Sequence, residues 1–489
     1  MTSLLADDQL FEMKGEPSSA PMRASAGTAK TFRHYDPTQS FLLPPSLDDW
    51  LPQEHTARFI AEVVDELLDL TVIYDSYVEA AGAPPYDPTM MLKILLYAYS
   101  VGVTSSREME RRCHTDVAFR WLSANAAPDY RSLSRFRRRH DAGVRALFVQ
   151  VLVLCAEAGL VKLGRVALDG TKLRASASRH KAMSYDRLGP RIAQLEAEVA
   201  AILAEAEATD LAEDDAYGED NRGDEVPLEL ARRETRLAKL RAAKVAIEDE
   251  AREKAAVKAE RKAHDNEDDG GAGIERAVDL ARERAVPEKR AQRNFTDPES
   301  RMMKTNDGFH YAYNAQAVVD ETSQVIIGTR VGTNAGDVDQ LLSMIDLTKE
   351  TLRAAGIDDN PRLLLADAGY CSEDNLTQAG TTDVDVLIAT GRIRRNERVA
   401  SAPRGPIPHD ATQRERMARR LRTKTGAADY ARRKAIVEPV FGQMKVRQHA
   451  GFLRLRGLEG AQREWTLHAV CHNLRKLANS RTIGVIRTT

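Results

Sequence analysis

Arg165-Val-Ala-Leu-Asp-Gly-Thr-Lys172 is an apolar run that ends in an acid, and Arg362-Leu-Leu-Leu-Ala-Asp-Ala-Gly-Tyr370 repeats the pattern far downstream. Both read as short buried strands, with Asp169 and Asp367 at their ends, where open α/β sheets place ligands. A third acid, Glu438, stands in Arg432-Arg-Lys-Ala-Ile-Val-Glu-Pro-Val-Phe-Gly-Gln-Met-Lys445, a basic stretch of helical character. Two strand-end aspartates and one helical glutamate can hold two Mg²⁺ ions for phosphoryl transfer, because Mg²⁺ takes hard oxygen ligands and keeps several waters. Taken singly, each acid has a plainer reading. Aspartate before glycine is a turn former, and most helical glutamates are simply solvated.

The 489-residue chain has material for two to four domains, and its 43 % hydrophobic and 29 % charged residues give an ordinary soluble composition. The net charge of −2 averages opposite regions: residues 391 to 456 carry eighteen Arg/Lys against five Asp/Glu, a net of +13, while 204 to 226 is strongly acidic. Local charge governs counterion release on DNA, so the basic segment outweighs the total. Cys113, Cys155, Cys371 and Cys471 are far apart and in no paired spacing, which predicts a reducing compartment without a disulfide framework or zinc module. Neither a membrane-spanning run nor an N-terminal signal core is present, so a cytoplasmic, nucleoid-associated protein is expected.

Along the chain, residues 1–34 read as a mobile polar tail and 35–160 as a helical domain. Asp87-Pro88 supplies an N-cap and a first-turn proline, Gly102 ends that helix, and Ser105-Ser-Arg-Glu108 has the capping-box pattern. A first piece of α/β core spans 161–184. Residues 185–290 form a helical insertion whose arms, 187–208 and 228–262, place Ile192, Leu195, Val199 and Ile202 and then Leu230, Leu237, Leu240 and Ile247 at heptad spacing. That spacing predicts an antiparallel, coiled-coil-like hairpin, with 263–275 as a Gly-rich breaker. The rest of the core, 291–480, opens with strands at 311–319 and 324–331 joined by the turn Asp320-Glu-Thr-Ser323. It continues with an amphipathic helix at 337–355, strands at 363–366 and 384–389, and C-terminal helices.

Asp-Gly-Thr-Lys at 169–172, Asp-Ala-Gly-Tyr at 367–370 and Val-Glu-Pro-Val-Phe-Gly-Gln-Met-Lys at 437–445, in that order, resemble the DDE transposases of bacterial insertion sequences, over residues 35 to 480 apart from the long insertion. The resemblance implies an RNase H-like α/β core, with the hairpin between its first and second strands, and an N-terminal helical domain that binds terminal inverted repeats. It implies that Asp169, Asp367 and Glu438 are catalytic and bind two Mg²⁺ ions, with Mn²⁺ able to substitute. Water would cut at the element end, and the freed 3′-hydroxyl would attack target DNA, with no covalent enzyme intermediate and so no nucleophilic role for Tyr370 or Tyr430. A homodimer on double-stranded DNA follows from the need to join two ends. Tyr430, Arg433, Glu438 and Lys445 approximate a spacing common in the family, but the Arg-to-Glu gap is one residue longer, so Arg433 and Lys434 compete for the arginine position. Arg433 and Lys445 would contact phosphates beside the scissile bond. Pro439 disfavours helix geometry at Glu438, and a bent helix that still carries Glu438 is expected.

Arg131, Arg135, Arg137, Arg138 and Arg139 cluster in one helical stretch with Tyr130 and Phe136 interleaved, a pattern that suits helix–turn–helix contact with DNA as well as a solvated basic face. Residues 391–424 fit a segment that orders only on DNA. Among competing acids, Asp337 is expected to cap a helix, and His468, Cys471 and His472 are expected to pack in the core rather than bind metal. Two further functions stay open: a metal-dependent nuclease without strand transfer, and a non-enzymatic DNA-binding remnant or repressor.

Overall fold

The computed structural model describes residues 46–78, 84–217, 228–265, 271–391, 402–403 and 405–480. The expected N-terminal tail, residues 1–34, lies outside them. Among the described residues, eight α-helices precede the first strand: α1 (Leu47–Trp50), α2 (Thr56–Glu62), which runs on into a π-helical turn Val63–Leu67, α3 (Thr71–Tyr74), α4 (Pro88–Ser100), α5 (Ser106–Thr115), α6 (Val117–Leu122), α7 (Tyr130–Arg139) and α8 (Asp141–Glu157). The Asp87 carboxylate accepts the Met90 amide at 3.0 Å, so α4 begins where Asp-Pro predicts. The capping box at Ser105 does not form. The Ser105 side chain makes no capping bond, and Glu108 is drawn instead to Arg111 and Arg112, at 2.6 and 2.9 Å.

β1 (Arg165–Arg174) is the middle of a mixed sheet because Val166, Ala167 and Leu168 are all fully buried, as a strand covered on both faces requires. It runs five residues beyond Asp169, so this aspartate lies within the strand rather than at its end. Past Asp169 the continuous apolar run gives way to alternation, with Thr171 and Leu173 buried. Next come β2 (Ala182–Ser184), the helices α9 (Tyr185–Tyr217), α10 (Leu228–Asp265) and α11 (Gly271–Glu283), and β3 (Gln292–Asn294). Then come β4 (Arg301–Thr305), β5 (Gly308–Asp320), β6 (Ile326–Gly332), α12 (Leu341–Ala354), β7 (Leu363–Ala366), α13 (Glu373–Ala379), β8 (Asp385–Ile388), α14 (Gln413–Leu421), α15 (Lys424–Arg447) and α16 (Leu458–Asn479). β1 pairs antiparallel with β5 and parallel with β7, β8 extends the parallel side, and β4 and β6 both pair antiparallel with β5.

The mixed sheet, the N-terminal helices and the order of the main elements follow the sequence reading. The β5–β6 hairpin forms around the expected turn, where Asp320 accepts the amides of Leu163 (3.0 Å) and Thr322 (2.8 Å). α9 and α10 pack through Leu188, Leu195, Leu237, Leu240 and Ile247. Their ties run in opposite senses, Tyr185 to Glu248 at 2.8 Å and Arg241 to Glu196 at 2.6 Å, so the two helices are antiparallel. The breaker is shorter than expected: 263–265 end α10, and 271–275 begin α11, whose Ile274 and Val278 share a half-buried face. The two-stranded β2–β3 sheet, with Ser184 opposite Gln292, was not anticipated.

α16 is buried on nearly every side, between the N-terminal helices and the sheet. Toward the sheet, Trp465 Nε1 donates to the Gln316 carbonyl at 2.9 Å, and Asn473 exchanges bonds with the Ile326 backbone at 2.8 and 2.9 Å. Toward the helices, Cys471 Sγ meets the Leu96 carbonyl at 3.4 Å. His468, Cys471 and His472 are core residues, as expected, and burial holds His468 down to about 3 and His472 to about 4. No helix among the described residues is long and apolar enough to cross a membrane.

The same helix carries Glu464, which is fully buried. It accepts the Tyr99 hydroxyl at 2.9 Å and the amides of Arg454 and Leu455 at 2.7 and 2.8 Å, and Arg137 Nη1 in turn donates to Tyr99 at 2.9 Å and to the Thr104 carbonyl at 2.7 Å. Arg137→Ala should strip this buried cluster of the guanidinium that donates to Tyr99 and cost about 3 kcal/mol. The denaturation midpoint of the full chain should fall accordingly, while Arg135→Ala, at an exposed position on the same helix, should leave it unchanged. Equal midpoints for the two variants would rule out a stabilising role for Arg137.

Candidate active site

Asp169 and Asp367 are brought together by strand register. β1 pairs with β7 as Arg165 with Leu363, Val166 with Leu364 and Ala167 with Leu365, and two residues beyond the last pair come Asp169, still within β1, and Asp367, just past the end of β7. Neighbouring strands are about 4.8 Å apart, and at that separation two carboxylates repel. Burial pushes the Asp169 carboxyl up from its ordinary value; Arg433 pulls it down, and Asp367 adds to the rise. Asp367 sits just past its strand, as expected, half-buried, with its Oδ1 accepting the Gly369 amide at 2.8 Å.

The countercharge comes from α15. Arg433 Nη1 lies 2.9 Å from Asp169 Oδ2, with both side chains largely buried. Four residues earlier on each element the signs are exchanged: Arg165 of β1 binds Asp429 of α15 at 2.7 Å. Arg165 also binds Glu321 at 2.5 Å, and Glu321 binds Arg432 at 2.7 Å. These pairs lay α15 along β1 in the same sense and deliver Arg433, not Lys434, to the aspartate; Lys434 is exposed. Tyr430 lies within electrostatic reach of Arg433 and both aspartates, although burial is the main reason its hydroxyl is pushed up. Half-buried Lys445 is pulled down by burial and feels Asp169 and Asp307 as opposing charges.

α15 is one continuous α-helix with Pro439 inside it, so Glu438 is a helical residue and not a cap. Five residues from Arg433 it is turned about 140° around the helix axis, and its side chain is exposed. Lys445, two turns on, shares its face. Among the described residues no three of His, Cys, Asp and Glu stand close enough together to hold a metal ion. The structure therefore joins Asp169 to Asp367 and places Glu438 on the helix that borders them, outside their immediate cluster.

Sequence reasoning missed a polar floor beneath the aspartates. Asp337 Oδ1 accepts Asn314 Nδ2 at 2.7 Å, Gln316 Nε2 at 2.9 Å and Lys172 Nζ at 3.3 Å. The expected capping role of Asp337 is not met: its side chain makes no capping bond to the 3₁₀ turn Val338–Gln340. A Cβ on Gly170 would come within 2.5 Å of Gln316 Nε2 and 3.0 Å of Asp337 Oδ1, and one on Gly369 within 2.9 Å of Asp367 Oδ1 and 3.3 Å of Asp337 Oδ2. Asp337 therefore packs against the backbone beside both aspartates, and a side chain at either glycine would have to displace these polar groups. Tyr370 is fully buried and its hydroxyl donates to Gln316 Oε1. The signal was present in β5, where Asn314 and Gln316 interrupt an apolar strand at a spacing of two.

Of the five α7 arginines, Arg137 is buried and Arg139 stacks over Tyr77 at 4.5 Å. Arg131 stacks on Tyr130 at 5.7 Å, and Arg131, Arg135 and Arg138 are exposed. The basic segment is not uniformly structureless. Residues 392–401 and 404 lie outside the described residues, but α14 forms with a complete capping box of Thr412 and Glu415, and Arg420 is paired to Asp385. The reason is local: the capping box and the backbone carbonyls that take Arg414, Arg416 and Arg419 satisfy the segment without DNA.

The ion pair makes a pH-dependent prediction. Arg433→Ala leaves the Asp169 carboxylate buried without its partner, which is costly only when Asp169 is ionised. Because burial raises the Asp169 value, the loss should be small in the ordinary carboxylate range and grow as pH rises through the raised one. At neutral pH it should reach about 3 kcal/mol, read from urea denaturation of variant and wild type across pH. An equal loss at acid and neutral pH would sink the assignment.

Two comparisons with known families bear on this site. A model described as "Transposase domain (DUF772)" matches residues 45–139, and one described as "Transposase DDE domain" matches 283–474; together they cover more than half of the chain. The second match includes Asp337, Asp367, Arg433 and Glu438, whereas Asp169 falls between the two. Searches of characterised proteins and of solved structures return no match.

Proposed function

The chain belongs to the DDE transposases of insertion sequences, and we propose that it binds the terminal inverted repeats of its element and carries out strand cleavage and strand transfer with Asp169, Asp367 and Glu438. Domains of this family are generally dependent on divalent metal and act on DNA. The observation that carries the finer reading is that Asp169 of β1 and Asp367, just past β7, lie close enough to interact, beside a helix that turns Arg433 to Asp169 and also carries Glu438 and Lys445.

Asp169 and Asp367 supply hard oxygen donors of the kind a divalent cation takes, whereas Glu438, outside their cluster, would have to come in from α15. The Asp367 carboxylate engages the Gly369 amide, and a cationic group, Arg433, already lies against Asp169. Mg²⁺ needs few protein carboxylates when substrate phosphates complete its shell. Two such ions, held by Asp169, Asp367 and Glu438, would polarise the scissile phosphate and make water, and later a 3′-hydroxyl, a competent nucleophile. The protein's own contribution is positional. Register fixes the two aspartates, and α15 brings cations to where charge develops on the phosphoryl oxygens. Arg433, released from Asp169, and Lys445 would meet the phosphates flanking the cut. Tyr370 takes no chemical part, since its hydroxyl is committed to Gln316. Joining two ends implies a dimer on DNA. The paired helices α9 and α10 form an inserted arm between β1 and β5, outside the chemistry.

A cleavage and joining assay tests this. Labelled DNA with the repeats that flank the gene, plus Mg²⁺, should be cut at the repeat and joined through its 3′ end to target DNA. Asp169→Ala, Asp367→Ala and Glu438→Gln should each bind the DNA and lose both steps by at least a thousandfold, or about 4 kcal/mol. Cutting without joining would mean a nuclease. Binding without chemistry under Mg²⁺ or Mn²⁺ would leave a DNA-binding remnant. Full activity of Glu438→Gln alone would remove that residue from the site.

A further inference from the structure

Between α7 and the segment that leads into α16 lies a cavity of about 620 Å³ lined by Arg137, Arg138, Arg454, Arg456 and Arg463, with Glu299 and Glu459 as the acids at its edge. We propose that this cavity is a seat for the phosphate backbone of the DNA substrate, separate from the aspartate site. The proposal rests on the transposase reading for the identity of the polyanion.

Gly451-Phe-Leu-Arg-Leu-Arg-Gly457 continues the sheet: Arg174 N donates to the Gly451 carbonyl at 3.0 Å, and Leu453 N donates to the Arg174 carbonyl at 2.8 Å. The strand-like period of two buries Leu453 and Leu455 and turns Arg454 and Arg456 outward on one side. Buried Glu464 takes the Arg454 and Leu455 amides, so the backbone that carries the arginines is held from behind. Each exposed guanidinium is anchored by Nε: Arg454 to Thr104 Oγ1 at 3.3 Å, Arg456 to the Ser176 carbonyl at 3.1 Å and Arg138 to the Ser134 carbonyl at 3.3 Å. Arg454 is also stacked over Phe452 at 4.9 Å. None of the three has a carboxylate partner among the described residues.

Anchoring through Nε leaves the two terminal nitrogens as a fork, the geometry that matches a phosphate. Five arginines face two acids in this lining, and of the five Arg463 is paired with a carboxylate, Asp141, at 3.0 Å. Glu299 is taken up by the Leu458 amide at 2.7 Å at the start of α16. Behind the exposed arginines, the Arg137 Nε is buried and has no hydrogen-bond partner. A stabilising surface would pair these charges with acids, whereas a phosphate seat leaves them open. Because the cavity is walled by both the helical region and the catalytic unit, a duplex seated there touches both.

The test is fluorescence anisotropy of full-length protein across a salt series, on a labelled duplex carrying the element end and on an unrelated duplex. Arg454→Ala/Arg456→Ala should weaken binding about tenfold on both duplexes and reduce the log–log salt slope by about two, since each phosphate contact contributes about 0.9. Arg454→Lys/Arg456→Lys should keep most of the slope and recover part of the affinity. Arg353→Ala, at an exposed position on α12, should match wild type, and unchanged thermal midpoints establish that the variants fold. Wild-type affinity and slope in the double alanine variant would overturn the proposal, as would a wild-type chain that binds neither duplex. The two readings fail separately. If the chain binds DNA with the expected slope change but never cuts it, the phosphate seat stands and the catalytic reading falls. If it cuts while the alanine variant binds unchanged, the reverse holds.

Discussion

Two carboxylates held side by side in a sheet repel one another, and the ion pair from Arg433 to Asp169 is the interaction that makes their arrangement tolerable. Their relative position follows from the pairing of β1 with β7, two strands that are buried on both faces. The repulsion is therefore answered from outside the sheet. α15 is located by exchanged charges, Arg165 with Asp429 and Asp169 with Arg433, and by Glu321, which holds Arg165 and Arg432 together. Such partly buried pairs contribute little net stability but discriminate strongly between placements, since a misplaced helix would leave several charges buried and alone.

The polar floor under the site follows the same logic at one remove. Asn314 and Gln316 stand in the centre of a sheet where apolar residues would pack better, and they are satisfied by each other, by Asp337 and by Tyr370. Lys172, three residues beyond Asp169, neutralises Asp337 from above. A fully satisfied network of this kind is rigid, and it backs onto both glycines beside the aspartates. Its cost in core packing is offset by what it fixes, the height and direction of the turns that present the two acids.

How much of this was readable from the sequence depended on the range of the interaction concerned. Apolar runs around Val166 and Leu364, the Asp87-Pro88 cap and the heptad leucines of α9 and α10 are local signals, and they yielded the elements, the sheet and the antiparallel helices. The fate of α7 was not local. Its arginines look alike in one dimension, yet Arg137 is taken inward by Tyr99 and Thr104, and Arg139 is taken by Tyr77. Asp337 looked like a cap because its partners lie on β1 and β5. Glu438 was legible as a helical residue, but its distance from the aspartates is set by the rotation of α15, which the ion pairs to β1 and the buried face of Ile436, Val437, Val440 and Met444 decide. Ser105 failed as a cap because two nearby arginines compete for Glu108.

The small β2–β3 sheet has an effect out of proportion to its size. It sets Ser184 opposite Gln292, so the outgoing and returning chain lie side by side. The described residues between them are mostly the helices α9, α10 and α11, and the Arg301 to Glu250 pair at 3.1 Å ties α10 to β4 as well. Whole turns added to both α9 and α10 would lengthen that arm by about 5.4 Å each while Asp169 and Asp367 stayed where they are. Arm length is therefore a quantity that insertion and deletion can alter without rebuilding the core.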